Sequence, residues 1–269
     1  MKQLLLAFAV LFSIAIQSQT YQKIYNIIDA VSKERLKQDV KILVDFGTRH
    51  TLSDTVSNTK GIGAARRWIK SEFENISSKC NNCLEVFYQK DFIPKGDNDR
   101  ITKDVWVVNV VAIQRGTKYP NRFVIMSGDI DSRVSDPTDF TSESPGANDN
   151  ATGMAGAIEA ARVLSKYKFE NSIIYLGLSG EEQGLFGGKG FAEYAKKNGR
   201  SRDEMVAVWK FATAFNGYAF CKAHSAAYAI EAYEGAWLKA HYPAEFMAAT
   251  MSSELQNTDK IVIFIEINS

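Results

Sequence analysis

Five acidic side chains follow two apolar runs, at spacings that can do chemistry. Asp129 and Asp131 come after "RFVIM" (residues 122–126), in "SGDIDS". Asp149 lies in "SPGANDNATGM", just before a stretch of helical period. Glu181 and Glu182 come after "SIIYLGL" (172–178), in "SGEEQGLFGG". Like charges repel, so converging carboxylates either lie in water or serve a cation. A pair of zinc ions takes terminal His, Asp or Glu ligands and one carboxylate that bridges both. Backbone N–H groups at a helix start can orient Asp149. If Glu182 binds metal, its neighbour Glu181 points elsewhere and can act as base toward a bound water. Each acid by itself reads as an ordinary solvated residue; only the set is specific.

The set converges only if the two runs are neighbouring strands. Ile24, Ile27, Ile28 and Val31, then Val40, Leu43 and Val44, recur near helical spacing. Ile62, Ala65, Ile69, Phe73 and Ile76 predict a second helix with Thr59 as its cap. "LEVFYQKDF" and "DVWVVNVVAI" read as strands rich in Val, Phe, Tyr and Trp. Residues 152–165 put Met154, Ala157, Ile158, Ala161 and Leu164 on one helical face, and a short helix is expected around Phe191 to Lys197. Alternating helices and continuous apolar strands predict an α/β fold: a three-layer α/β/α domain around a mostly parallel mixed sheet. In such sheets ligands bind in loops beyond the carboxyl ends of the strands, where both acidic loops begin.

The 269 residues carry a formal net charge of +1, which calls for neither nucleic acid nor an acidic substrate. Lys2, the apolar run Leu4 to Ile16 and then Gln17-Ser18 predict an export signal over residues 1–19. The expected location is secreted or periplasmic, with no membrane span once the signal is removed. Cys80 and Cys83 form a CxxC that suits a small structural disulfide loop better than a redox or zinc motif. Composition shifts near Gly199 to an Ala- and aromatic-rich tail, broken at Asn216-Gly217 and at Pro243. A boundary is therefore placed between residues 199 and 200.

The stretch from "SGDIDSRVSDPTDFTSESPGANDNATGM" through "SGEEQGLFGGKGFAEYAKK" closely resembles the secreted di-zinc aminopeptidases, relatives of the glutaminyl cyclases. The match covers about residues 20–198. The resemblance implies two zinc ions and a peptide substrate cut at its N-terminal bond. It makes Asp149 the bridging ligand, Glu182 a terminal ligand and Glu181 the catalytic base and acid. Asp131 is the carboxylate standing behind the first ligand. That first ligand is a histidine in the family and Asp129 here. A later "NxDMIG"-like segment and a final histidine ligand have no counterpart. Of the histidines, His50 lies far upstream and His224 and His241 lack ligand spacing. The implied activity is that of a metallo-aminopeptidase, with the missing ligands set against turnover by this copy. The alternative is a non-catalytic peptidase remnant.

Residues from about 203 to the end resemble the helical fingers region of the bacterial DNA polymerase III alpha subunit, on "FCKAHSAAYA" and "AWLKAHYPAEFMAA". By that analogy Lys222 and His224 face phosphates. The polymerase's catalytic aspartates are absent, and a few basic residues do not make a basic groove. The tail is expected as a helical segment with Ile230, Tyr233 and Trp237 in one stripe, and nucleic acid is not expected as a partner. A DNA-binding polymerase fragment is the further alternative, and the whole chain would then be a chimera.

Overall fold

A computed structural model describes residues 22–199 and 238–253. The chain divides into two compact units, Met1–Trp209 and Lys210–Ser269, a division later than the change in composition. The expected export signal, Asn216-Gly217, Lys222, His224, Ile230, Tyr233 and Trp237 lie outside the described residues.

In the first unit, residues 22–29 are helical, although Ile24 and Ile28 remain exposed. Helix α1 (Lys33–Asp45) starts at Ser32, whose hydroxyl accepts from the Arg35 N–H. Helix α2 (Gly61–Lys79) buries Ile62, Ala65, Ile69, Phe73 and Ile76, the stripe its periodicity predicts. Its cap is Lys60, with no side-chain hydrogen bond, and not Thr59. Thr59 instead joins a turn, its N–H donating to Ser57 Oγ. A disulfide between Cys80 and Cys83 follows the helix.

Four strands form one sheet in the order β1-β2-β4-β3: β1 (Leu84–Ile93), β2 (Val105–Gln114), β3 (Tyr119–Asp129) and β4 (Asn171–Leu178). β3 extends past "RFVIM" at both ends. The sheet is mixed, as expected. Its parallel pair is β3 with β4, while β2 runs antiparallel to both β1 and β4. The antiparallel share is therefore larger than the apolar runs imply. Burial on both faces gives a central strand the same apolar pattern whichever way its neighbour runs.

Alternate side chains of the strands feed two cores, which gives the three layers. Val110, Ala112, Ile173 and Tyr175 meet α1, α2 and helix α3 (Thr152–Leu164) on one face. Val111, Ile113, Ile174 and Leu176 meet Phe191 of helix α4 (Phe186–Lys197) on the other. Helix α4 begins five residues before Phe191, directly at the end of the Gly-rich turn. A largely buried ion cluster joins three helices: Arg162 of α3 reaches Asp39 of α1, Glu72 of α2 and Glu159 of its own helix.

In the second unit, helix α5 (Pro243–Ser253) opens at the proline that was expected to break the tail.

Candidate functional site

The β3–β4 register sets the site. Gly128 pairs with Gly177 and Asp129 with Leu178, so the two strands end together. The Ile130 N–H then donates to the Leu178 carbonyl at 2.7 Å, which carries the pairing one residue beyond the strands. Both acidic loops thus leave the same edge. Asp149 enters from a π-turn (Ala147–Ala151) that leads into α3. The first turn of α3 packs tightly against the strand. A Cβ on Gly128 would lie 2.4 Å from the backbone of Gly153, and one on Gly153 would lie 1.9 Å from Asn150 Oδ1. Only glycine permits that approach.

Asp131 is the buttress of the glutamate turn. It is 1% exposed. Its carboxylate accepts from the Thr51 hydroxyl at 2.9 Å and from the N–H groups of Glu181 and Glu182, each at 3.2 Å. The resemblance places Asp131 behind Asp129. Its hydrogen bonds run to the Thr51 hydroxyl and the glutamate turn. Asp129 accepts from Asn150 Nδ2 at 3.3 Å. Glu182 pairs with Arg133, Nε to Oε2, at 2.6 Å.

Three consecutive residues absent from the sequence-derived site tie the loops together. Arg49 is fully buried. Its guanidinium donates to the carbonyls of Ile130 (2.8 Å), Leu43 (3.0 Å), Pro145 (2.7 Å) and Gly146 (3.0 Å). His50 accepts from the Leu52 N–H at Nδ1, and its Nε2 lies 2.6 Å from the Gln183 amide, one residue past Glu182. Thr51 holds Asp131. His50 is therefore part of the scaffold and not the incidental residue its position suggests. Burial lowers its pKa and keeps the ring neutral. No local pattern marks "RHT", since its partners are mostly some eighty or more residues away. His241 is described on the second unit, and no role in this site follows for it.

The carboxylates act on one another. Asp129 has its pKa raised well above the usual carboxylate range, first by loss of water and then by Asp131, Glu181, Asp149 and Glu182. Burial pushes Asp131 up to about 6, against the three hydrogen bonds it accepts. Glu181 is pushed up to about 7 by burial, then by Asp131, Glu182 and Asp149, with Arg133 pulling the other way. The five acids singled out in sequence are thus brought within electrostatic reach.

The fit to a pair of zinc ions is incomplete. Among the described residues, no group of three or more His, Cys, Asp or Glu side chains is arranged to hold an ion. Asp131 is committed to three donors and Glu182 to a guanidinium. The donor set is all carboxylate, which favours harder cations than zinc. The orphaned buried oxygen nearby, Asn150 Oδ1, packs against Gly153.

A three-layer α/β sheet with two acidic turns beyond the carboxyl ends of β3 and β4 defines a candidate ligand site. The model of peptidase family M28 matches residues 109–262, and the chain belongs to that family. It is 41% identical to a probable zinc metalloprotease of Pyrenophora tritici-repentis over 180 residues, 67% of this chain and 37% of that one. The chain spans about two fifths of the length of the curated relatives it matches. The crystal structure of the LapA aminopeptidase of Legionella pneumophila shares the fold, with a TM-score of 0.50 and 18% identity. That match covers 66% of this chain and 43% of LapA. The resemblance to a polymerase is also found: 76 residues, 28% of this chain, are 57% identical to DNA polymerase III subunit alpha of Neisseria meningitidis and cover 7% of it. No helix among the described residues is long and apolar enough to cross a membrane.

Proposed function

We propose that the protein belongs to an aminopeptidase lineage acting on peptide N-termini, with Glu181 as the group that takes and returns the reacting proton. The observation that supports this most is the strand register that sets Glu181 on the turn after β4, held to Asp131, where burial and the neighbouring acids push its carboxyl up to about 7. A carboxyl poised near neutrality can both accept a proton and give it back to a leaving amine. The neighbouring Asp149 is exposed and favours the cationic amino group of a peptide. The hydrogen bonds from the Glu181 and Glu182 N–H groups to Asp131 hold the turn that presents Glu181.

The relatives' names bring zinc into this proposal. Asp129, Asp149 and Glu182 are the side chains that would be offered to it, and the described residues do not complete that centre. Secretion is part of the same reading, and it rests on the basic-apolar-small order of residues 2–18. The Arg133–Glu182 pair favours a second reading, in which this chain is a non-catalytic relative whose acidic edge takes at most a weak, hard cation.

Hydrolysis of amino-acid anilides by the full chain, with zinc supplied and calorimetric zinc titration alongside, separates the two. Turnover that Glu181→Gln abolishes supports the peptidase. Absence of turnover at every zinc concentration rejects it in favour of the second reading.

A further inference from the structure

Glu182 already has a cation. Arg133 Nε lies 2.6 Å from Glu182 Oε2, with the two side chains 29% and 17% exposed. The same guanidinium is anchored at its far end. Its Nη1 donates to the Val134 carbonyl at 3.0 Å and the Ser135 carbonyl at 3.2 Å. Arg133 stands in the loop after β3 and Glu182 in the turn after β4, so the strand register that builds the acidic edge also brings this pair together. The backbone of Glu182 is held as well: its N–H donates to Asp131 and its carbonyl accepts from Arg100 Nη1 at 2.7 Å. The carboxylate is therefore presented to Arg133 by a turn fixed on both sides.

We infer that Arg133 is a tethered counter-cation: it holds Glu182 through Oε2, and a divalent ion that takes that oxygen has to displace the guanidinium. The inference rests on the reading of the acidic edge as a cation site. A guanidinium stays charged at every working pH, so protonation does not release it. Its Nε–H makes a charge-assisted hydrogen bond to the carboxylate, and partial burial protects the pair from screening. It carries one charge, and Asp129, Asp131, Asp149 and Glu181 remain beside it. A divalent ion thus retains an electrostatic advantage from the other acids. Cation uptake becomes a competition, and the apparent affinity is reduced by the fraction of time Glu182 is free.

The test is calorimetric titration of chelator-stripped full chain with zinc, and then with manganese. Arg133→Gln removes the charge and keeps donors for the Val134 and Ser135 carbonyls. It is expected to bind at least about tenfold more tightly than the parent. Arg133→Lys keeps the charge but not the tethered Nε–H geometry, and is expected between the parent and Arg133→Gln. A second readout needs no variant to fold. In the parent, the ¹⁵Nε–H resonance of Arg133 should shift and exchange faster with solvent as zinc is added. Equal or weaker binding by Arg133→Gln, or an Arg133 resonance unmoved at saturating zinc, overturns the inference alone. Absence of uptake by parent and Arg133→Gln alike overturns it together with the cation reading of the site.

Discussion

Replacing Arg49 should disable the scaffold before it touches any acid. Arg49 is 0% exposed and ties four carbonyls from three segments: Leu43, Ile130, Pro145 and Gly146. Burial lowers its pKa to about 10, so it remains charged at neutral pH. A hydrogen bond from a charged donor contributes roughly 1.5–3 kcal/mol. The four do not simply add, because removing the arginine also removes the cost of burying its charge. Breaking a buried charged network costs about 3–5 kcal/mol, and Arg49→Met is expected in that range. Arg49→Lys should recover little of it, since one ammonium has three donors and no planar fork to span the segments. Arg115→Met is the control. Arg115 pairs with Glu85 at the surface, where both side chains are about half exposed, and its loss is expected below about 1 kcal/mol. Urea unfolding followed by tryptophan fluorescence measures all three, with Trp68 reporting from its contact with Phe46. An Arg49→Met protein within about 1 kcal/mol of the parent would refute the argument that this residue binds the loops together.

Two further outcomes follow from the electrostatics and the sheet edge. Glu181 has a folded pKa of about 7, raised from its ordinary 4.5. The raised value means that the folded protein holds this proton more tightly than the unfolded chain. The resulting stability is full below about pH 4.5 and is lost as pH rises through 7. In chelator, thermal unfolding at pH 5 to 8 should therefore show Glu181→Gln gaining on the parent as pH rises, and a constant or shrinking difference would contradict the raised pKa. Among the described residues β3 pairs on one side only, and Val124 and Ile125 are 52% and 41% exposed. Such an edge recruits other strands. On size-exclusion chromatography the full chain should elute earlier as its concentration rises, and Val124→Lys/Ile125→Lys should reduce this; a parent that stays monomeric throughout would show the edge to be harmless.

The elements were legible because each rests on a local pattern. The α2 stripe from Ile62 to Ile76 and the buried face of α3 follow the helical period. The largely apolar runs of β2 and β4 announce strands buried on both faces. The loops bearing the five acids could be found in the same way, since each begins where an apolar run ends. The relative direction of β2 was not legible, because an antiparallel neighbour and a parallel one impose the same burial on it. Capping by Lys60 was missed because the residue supplies no side-chain bond, and a local rule looks for one.

The sequence by itself determined the α/β class, the helix and strand stretches, and the acidic loop that follows each of the two apolar runs. Hydrophobic period and turn residues act over a few positions and need no knowledge of the rest of the chain. Only the tertiary structure decided which partner each polar side chain takes: Asp131 the Thr51 hydroxyl and the glutamate turn, Glu182 the Arg133 guanidinium, and Gln183 the ring of His50. Those pairings join residues 49 to 133 positions apart. Their energies depend on distance and on exclusion of water, which arise only once the β3–β4 register has brought the loops together.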